Sequence, residues 1–189
     1  MNFNKYKNTI NTVLDTIDTQ EIEDFMNIIE DAYKNDRFVF VIGNGGSASN
    51  ASHLAQDLAK GTRNHKQQKK RLKALSLTDN AAFLTAQGND EGYESVFEQQ
   101  LMTFAKPGDI VIAISGSGNS PNIIKAIEWA NDNGLKTVGV TGFDGGKLKK
   151  IAHQSVNVAL NDMCTSESIH TIIFHYVIIE LKERFKNIN

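Results

Sequence analysis

Two stretches of this chain carry residues that could hold an anion, and a third set could move a proton. The first stretch is Ser115-Gly116-Ser117-Gly118-Asn119-Ser120-Pro121. It lies between the apolar run Ile110-Val111-Ile112-Ala113-Ile114 and a helical pattern that begins at Pro121. The run reads as a buried strand, Ser120 as a helix N-cap and Pro121 as the first helical residue, where a missing N–H costs nothing. A glycine- and hydroxyl-rich turn into a helix N-terminus offers a phosphate backbone N–H groups, the positive helix end and serine donors. The second stretch, Gly43-Asn44-Gly45-Gly46-Ser47-Ala48, repeats the plan after the apolar run Phe38-Val39-Phe40-Val41-Ile42. Beyond it, His53 and Asp57 stand four apart on a predicted helix and so share a face. His175 falls on the last predicted helix, two turns beyond Glu167. Two histidines with one or two carboxylates, drawn from His53, Asp57, Glu167 and His175, could bind a divalent metal, zinc above all.

The motifs argue against two common phosphate ligands. Residues 43–48 fit a G-x-G-x-x-A dinucleotide fingerprint, but that pattern needs an acidic residue roughly 20 positions on. Arg63 falls there, in a basic stretch, and Asp79 comes much later. Neither loop carries the Gly-Lys-Ser/Thr of a Walker loop. A second, serine-rich loop suits a single phosphate better than a dinucleotide.

The elements that must position these residues alternate. Apolar periodicity predicts helix over 3–34, with a second start near Thr19. Strands are predicted at 38–42, 72–77, 110–114, 136–141 and, weakly, 154–160. Helices are predicted at 47–60, 79–86, 93–104 and 121–133, with Gly134 past the last of these. Gly88-Asn89-Asp90 reads as a break, and a long amphipathic helix is predicted over 166–186. Such alternation implies an α/β three-layer sandwich: a central parallel five-stranded sheet with helices on both faces, plus N-terminal helices. Ligands bind such sheets beyond the carboxyl ends of strands, where both glycine-rich loops lie.

The bulk properties are those of a globular protein. The chain has 189 residues, which fits one domain over 1–189 with a helical segment at 1–35. Its net charge of −2 gives no drive towards nucleic acid or an anionic membrane. The lone Cys164 excludes an intrachain disulfide and fits a reducing cytoplasm. No apolar leader or membrane-spanning run is visible. The basic stretch from Arg63 to Arg71, with Lys66, Lys69 and Lys70, reads as a solvated loop; an electropositive rim for a phosphorylated substrate is the alternative. His65 and His153 read as surface residues, and Cys164 as structural. His170 is either functional or turned towards a neighbouring subunit.

Taken together, these motifs resemble the sugar isomerase (SIS) domain family, and within it the phosphoheptose isomerases. The resemblance spans nearly the whole chain. It rests on Gly43 to Ser47, His53, Gly88-Asn89-Asp90, Ile114 to Ser120, Thr141-Gly142 with Asp144-Gly145-Gly146, and Ile169-His170 with His175. It implies the SIS fold, a homotetramer with sites at subunit interfaces, and conversion of sedoheptulose 7-phosphate to a manno-heptose 7-phosphate through an enediol. Such enzymes begin heptose synthesis for lipopolysaccharide or capsule. By position, Asn44, Gly45, Gly46, Ser47, Asn89, Asp90, Ser115, Gly116, Ser117 and Ser120 match substrate contacts. His53 matches a metal ligand, and His175 a residue that is both ligand and acid/base.

The chain departs from the family pattern in three places. Asp57 stands where the family has a catalytic glutamate that is base, substrate contact and ligand. Glu167 stands where it has a ligand glutamine that also meets substrate. Lys60-Gly61 replaces an expected arginine. Two other readings remain open. One is a non-catalytic SIS protein that senses a phosphosugar or serves as an adaptor in DNA replication. The other is an amino-sugar enzyme, although the chain is too short for an added amidotransferase domain. A catalyst needs His53, Asp57 and His175 together; a binder does not.

Overall fold

The computed structural model describes residues 2–64 and 69–188. Five strands form one parallel sheet in the order β2-β1-β3-β4-β5: β1 (Phe38–Gly43), β2 (Lys73–Ser76), β3 (Ile110–Ser115), β4 (Lys136–Thr141) and β5 (Gln154–Asn157). The chain moves outward from β1 to β2, then returns to place β3 on the other side of β1. The reversal puts the ends of β1 and β3 side by side, in register from Val39 opposite Ile110 to Gly43 opposite Ile114. A crevice at such a switch point is where parallel sheets bind ligands.

Helices cover both faces because the central strands are apolar on both sides. Val39, Val41, Ile110, Ile112 and Ile114 face a core shared with α1 (Phe3–Leu14), α2 (Thr19–Lys34), α3 (Gly46–Gln56) and α8 (Met163–Lys186). Phe40, Ile42, Val111 and Ala113 face a second core, closed by α5 (Glu98–Phe104), α6 (Pro121–Asp132) and α7 (Gly146–Ile151). The remaining helix, α4 (Ala81–Asp90), buries none of its residues. Caps fix several starts: Asp18 accepts from the Gln20 N–H and Asp162 from the Thr165 N–H, both at 2.8 Å.

The structure departs from the sequence expectations in local detail. Asn80, not Asp79, caps α4 by accepting from the Phe83 N–H at 3.0 Å. Gly88-Asn89-Asp90 continues α4 instead of breaking it; the break comes at Gly92, whose φ is 94°. The helix expected over 93–104 is a 3₁₀ turn (Tyr93–Ser95) followed by α5. α7 was not foreseen, being only one and a half turns long. α8 starts at Met163, ahead of the expected 166, and is not cleanly amphipathic: Ile172, Tyr176 and Ile179 are exposed alongside its buried residues. The expected helix over 47–60 is α3 continued by a π-helical turn (Asp57–Gly61), in which the Thr62 N–H reaches the Asp57 carbonyl. Lys66 of the basic stretch and His65 lie outside the described residues. No described helix is long and apolar enough to cross a membrane.

Candidate active site

The serine loop leaves the buried end of β3 and enters α6 through Ser120 and Pro121. Ser120 is the N-cap by position, yet its hydroxyl makes no capping bond; it lies 3.5 Å from the Ser115 hydroxyl. One hydroxyl of that pair donates to the other, which leaves the second O–H to donate beside a helix N-terminus. The loop's shape depends on glycine at 118, where φ is 64° and a Cβ would strike the Gly145 carbonyl. The Gly118 carbonyl in turn accepts from the Leu148 N–H at 2.9 Å, which locks the loop to α7.

The first glycine loop faces it across the switch point. Gly45, with φ 55°, precedes α3, and no side chain caps that helix. Asn44, Gly45, Gly46, Ser47, Ser115, Gly116, Ser117 and Ser120 line one cavity of about 280 Å³. The structure thus gathers every expected residue of the two loops around one space. Two further side chains complete its wall. Met163 lies over Gly116, where nothing in the sequence pattern pointed to it. The Glu167 carboxylate packs on Gly46, 3.4 Å from the Ser47 hydroxyl.

The histidines stand further along the same seam. α3 and α8 run side by side from the cavity. Asn50 joins them by donating to the Glu167 carbonyl at 3.0 Å and accepting from the Thr171 hydroxyl at 2.9 Å. Beyond this lock, His53, Asp57 and His175 converge, each offering a ligand atom within 4.8 Å of the others. His53 Nε2 is 3.3 Å from Asp57 Oδ2, and the two imidazoles meet edge to face with centroids 5.0 Å apart. Both histidines are exposed and Asp57 is half-buried. The π-helical turn begins at Asp57; a Cβ at Gly61 would press on Ile178 at 3.2 Å and touch the Asp57 side chain at 3.7 Å. Two histidines and a carboxylate are a donor set that fits a divalent metal with a position left open.

Three expected residues lie elsewhere. Glu167 is not in that set: it sits eight residues before His175 on α8, roughly 12 Å along the axis. Asn89 and Asp90 end α4 in solvent, where the Asn89 amide donates to the Asp90 carboxylate at 2.8 Å. Neither lines the cavity. His170 is fully buried, and its Nε2–H donates to the Thr141 carbonyl at 3.0 Å. Burial pushes its pKa down to about 4, with the bond to Thr141 opposing that shift. It is a core histidine of this chain. His153 is exposed, as expected, but its Nδ1 accepts from the Thr137 N–H at 3.1 Å.

Residues 3–142 match the SIS domain family. The chain belongs to that family. Within it the relatives are consistent in name. The phosphoheptose isomerase of Aliarcobacter butzleri is 37% identical over 95% of this chain and 92% of its own length. That of Aquifex aeolicus is 39% identical over 87% of this chain and 84% of its own. Among solved structures, the phosphoheptose isomerase of Neisseria gonorrhoeae superposes with a TM-score of 0.82 at 27% identity, covering 95% of this chain and 92% of that one. The chain is therefore a SIS-domain protein of the phosphoheptose isomerase group, and its sheet order and flanking helices are that fold. The departures at Asp57 and Glu167 fall at the two ends of the α3–α8 seam.

Proposed function

We propose that this protein is a phosphoheptose isomerase, interconverting sedoheptulose 7-phosphate and a manno-heptose 7-phosphate. One observation carries the reading beyond the relatives' names. An anion cradle and a histidine–carboxylate set lie on a single seam, about two helical turns apart. That spacing suits a sugar phosphate held by its phosphate at one end and reacting at the other. Ser115, Ser117, Ser120 and the backbone of residues 44–47 hold the phosphate.

The reaction moves one proton between C1 and C2 through an enediol, and a second between the two oxygens. Asp57 takes the carbon-bound proton and returns it to the neighbouring carbon. His175 shuttles the oxygen-bound proton. His53, against Asp57, orients that carboxylate. A divalent metal, zinc by the chemistry of the donors, fits among His53, Asp57 and His175; when bound it polarises the substrate oxygens. Glu167 faces the substrate from the cradle side.

The active form is a homotetramer in the cytoplasm with sites at subunit interfaces. Two features support this assembly. Ile172, Tyr176 and Ile179 expose an apolar strip of α8 beside His175. Asn89 and Asp90 face solvent on a helix that buries nothing, which leaves them free for substrate held by a neighbouring copy. The product feeds heptose synthesis for lipopolysaccharide or capsule.

The test is direct turnover. Purified protein is incubated with sedoheptulose 7-phosphate, with and without zinc, and the aldose product is followed. Conversion that disappears in Asp57→Ala and His175→Ala supports the isomerase. No turnover, with phosphosugar binding intact in both variants, makes the protein a binding module instead.

A further inference from the structure

One part-buried clasp joins the two anion loops. Asn44 belongs to the β1–α3 loop, and Asn122 is the second residue of α6, just behind Ser120 and Pro121. The two amides bond reciprocally: Asn44 Nδ2–H donates to Asn122 Oδ1, and Asn122 Nδ2–H donates to Asn44 Oδ1, both at 2.9 Å. Asn122 is 3% exposed, and its Oδ1 also accepts from the Ile123 N–H at 3.0 Å. From the solvent side, the Tyr93 hydroxyl donates to Asn44 Oδ1 at 2.9 Å. Asn44 lines the cavity, whereas Asn122 does not.

We infer that Asn122 is a positioning residue that fixes the spacing of the two loops and so sets affinity for the phosphate group of the substrate. The inference rests on reading the cavity as a phosphate site. A phosphate bound between two loops gains from both only if their separation is already set, because any closing motion subtracts from the binding free energy. The amide pair supplies that restraint, and its Asn122 half lies outside the cavity. Each side chain uses both its oxygen and its nitrogen on the other, so removing one strands polar atoms of its partner and releases the loop. Tyr93 adds a third, outer restraint from the turn that follows α4.

The experiment measures binding of inorganic phosphate by calorimetry, alongside KM and kcat for sedoheptulose 7-phosphate. Loss of two neutral hydrogen bonds predicts about a tenfold weakening of phosphate binding in Asn122→Ala, with KM raised by a similar factor and kcat within about threefold. In an Asn44→Ala background the same substitution adds less than about twofold, since the bonds are already gone. Tyr93→Phe, at an exposed residue, weakens phosphate by about two- to threefold. A folded Asn122→Ala protein with phosphate affinity and KM unchanged overturns the inference, as does a fall in kcat alone. Should Asn122→Ala not fold, Asn44→Ala and Tyr93→Phe decide: wild-type phosphate affinity in both overturns it. Wild-type protein that binds phosphate without turning over the sugar removes the isomerase reading and leaves the clasp to be judged on phosphate alone. Wild-type protein that binds no phosphate removes the clasp inference, and the isomerase reading is then decided by turnover alone.

Discussion

The cradle and the histidine set are built in opposite ways. The cradle is made of backbone turns at strand ends, closed by contacts: Gly118 on Gly145, Asn44 on Asn122, Gly142 N–H to the Gly116 carbonyl at 2.9 Å. The histidine set is made of side chains on helix surfaces, with both imidazoles exposed. One is rigid by construction and would exist in an isolated chain. The other rests on side chains at the surface of two helices, open to whatever would bind there. The difference matches the proposed division of labour, in which the sheet would hold the phosphate and the helices would carry the chemistry.

That division is broken or upheld most sharply at Asp57. Asp57→Asn keeps the size of the side chain and removes its basicity. The expected loss is about a thousandfold in kcat, roughly 4 kcal/mol of barrier. Inorganic phosphate should bind as before. A variant that loses phosphate binding as well would show that the two regions are not independent.

The converse substitution is Gly118→Ala. It forces a side chain onto a backbone at φ 64° and into the Gly145 carbonyl. The left-handed strain and the clash together cost about 3 kcal/mol or more. Thermal unfolding should show the destabilisation, and phosphate titration the lost cradle. Zinc affinity of any folded fraction should be untouched, because His53, Asp57 and His175 do not rest on this loop.

The join between the regions is α8, and His170 is the point where it grips the sheet. Its Nε2–H is used on Thr141, and among the described residues no partner meets its Nδ1. Protonation would place an unpaired N–H and a charge in the core, which is why its pKa falls to about 4. The unfolded chain takes up this proton near the ordinary histidine pKa. Stability is therefore full above about pH 6.5 and is lost as pH falls towards 4, by about 3 kcal/mol at the limit. In His170→Gln, the slope of unfolding free energy against pH between 6.5 and 4.5 should flatten by up to one proton, measured by denaturant titration. An unchanged slope would mean that His170 titrates normally in the fold.

The same contrast explains what was legible in the sequence. The strands β1 and β3 could be read because buried parallel strands are continuous apolar runs, and both loops because the turns need glycine; the edge strands β2 and β5 carry weaker patterns and were legible mainly from their place in the alternation. The convergence of His53 and Asp57 followed from helical spacing. What escaped depended on tertiary contacts. Gly88 did not stop α4, since a glycine within a helix costs only about 1 kcal/mol and its φ there is not left-handed. Met163 gave no signal, because a methionine at a helix start has no pattern that marks it as a cavity wall. The Asn44–Asn122 pair lies 78 residues apart in sequence, and only the fold brings the amides together. Glu167 was legible as a functional position, but its place was not. Eight residues along α8 separate two ends of one seam, and spacing alone did not say which end its carboxylate would serve.

Glu167 is accordingly where the finest test lies. Its carboxylate packs on Gly46 at the N-terminus of α3 and approaches the Ser47 hydroxyl. A negative charge there stabilises the helix end in the free protein and repels an incoming phosphate. The site is partly open to water, so the repulsion is on the order of 1 kcal/mol or less. Glu167→Gln removes the charge at nearly constant shape. Phosphate should bind up to about fivefold more tightly near pH 7, with the gain shrinking as salt rises. Zinc affinity should change by less than about twofold, since the carboxylate belongs to the cradle and not to the histidine set. If instead zinc binding weakens tenfold or more while phosphate binding stays as it was, Glu167 works with the histidines, and the boundary between the two regions must be moved two turns along α8.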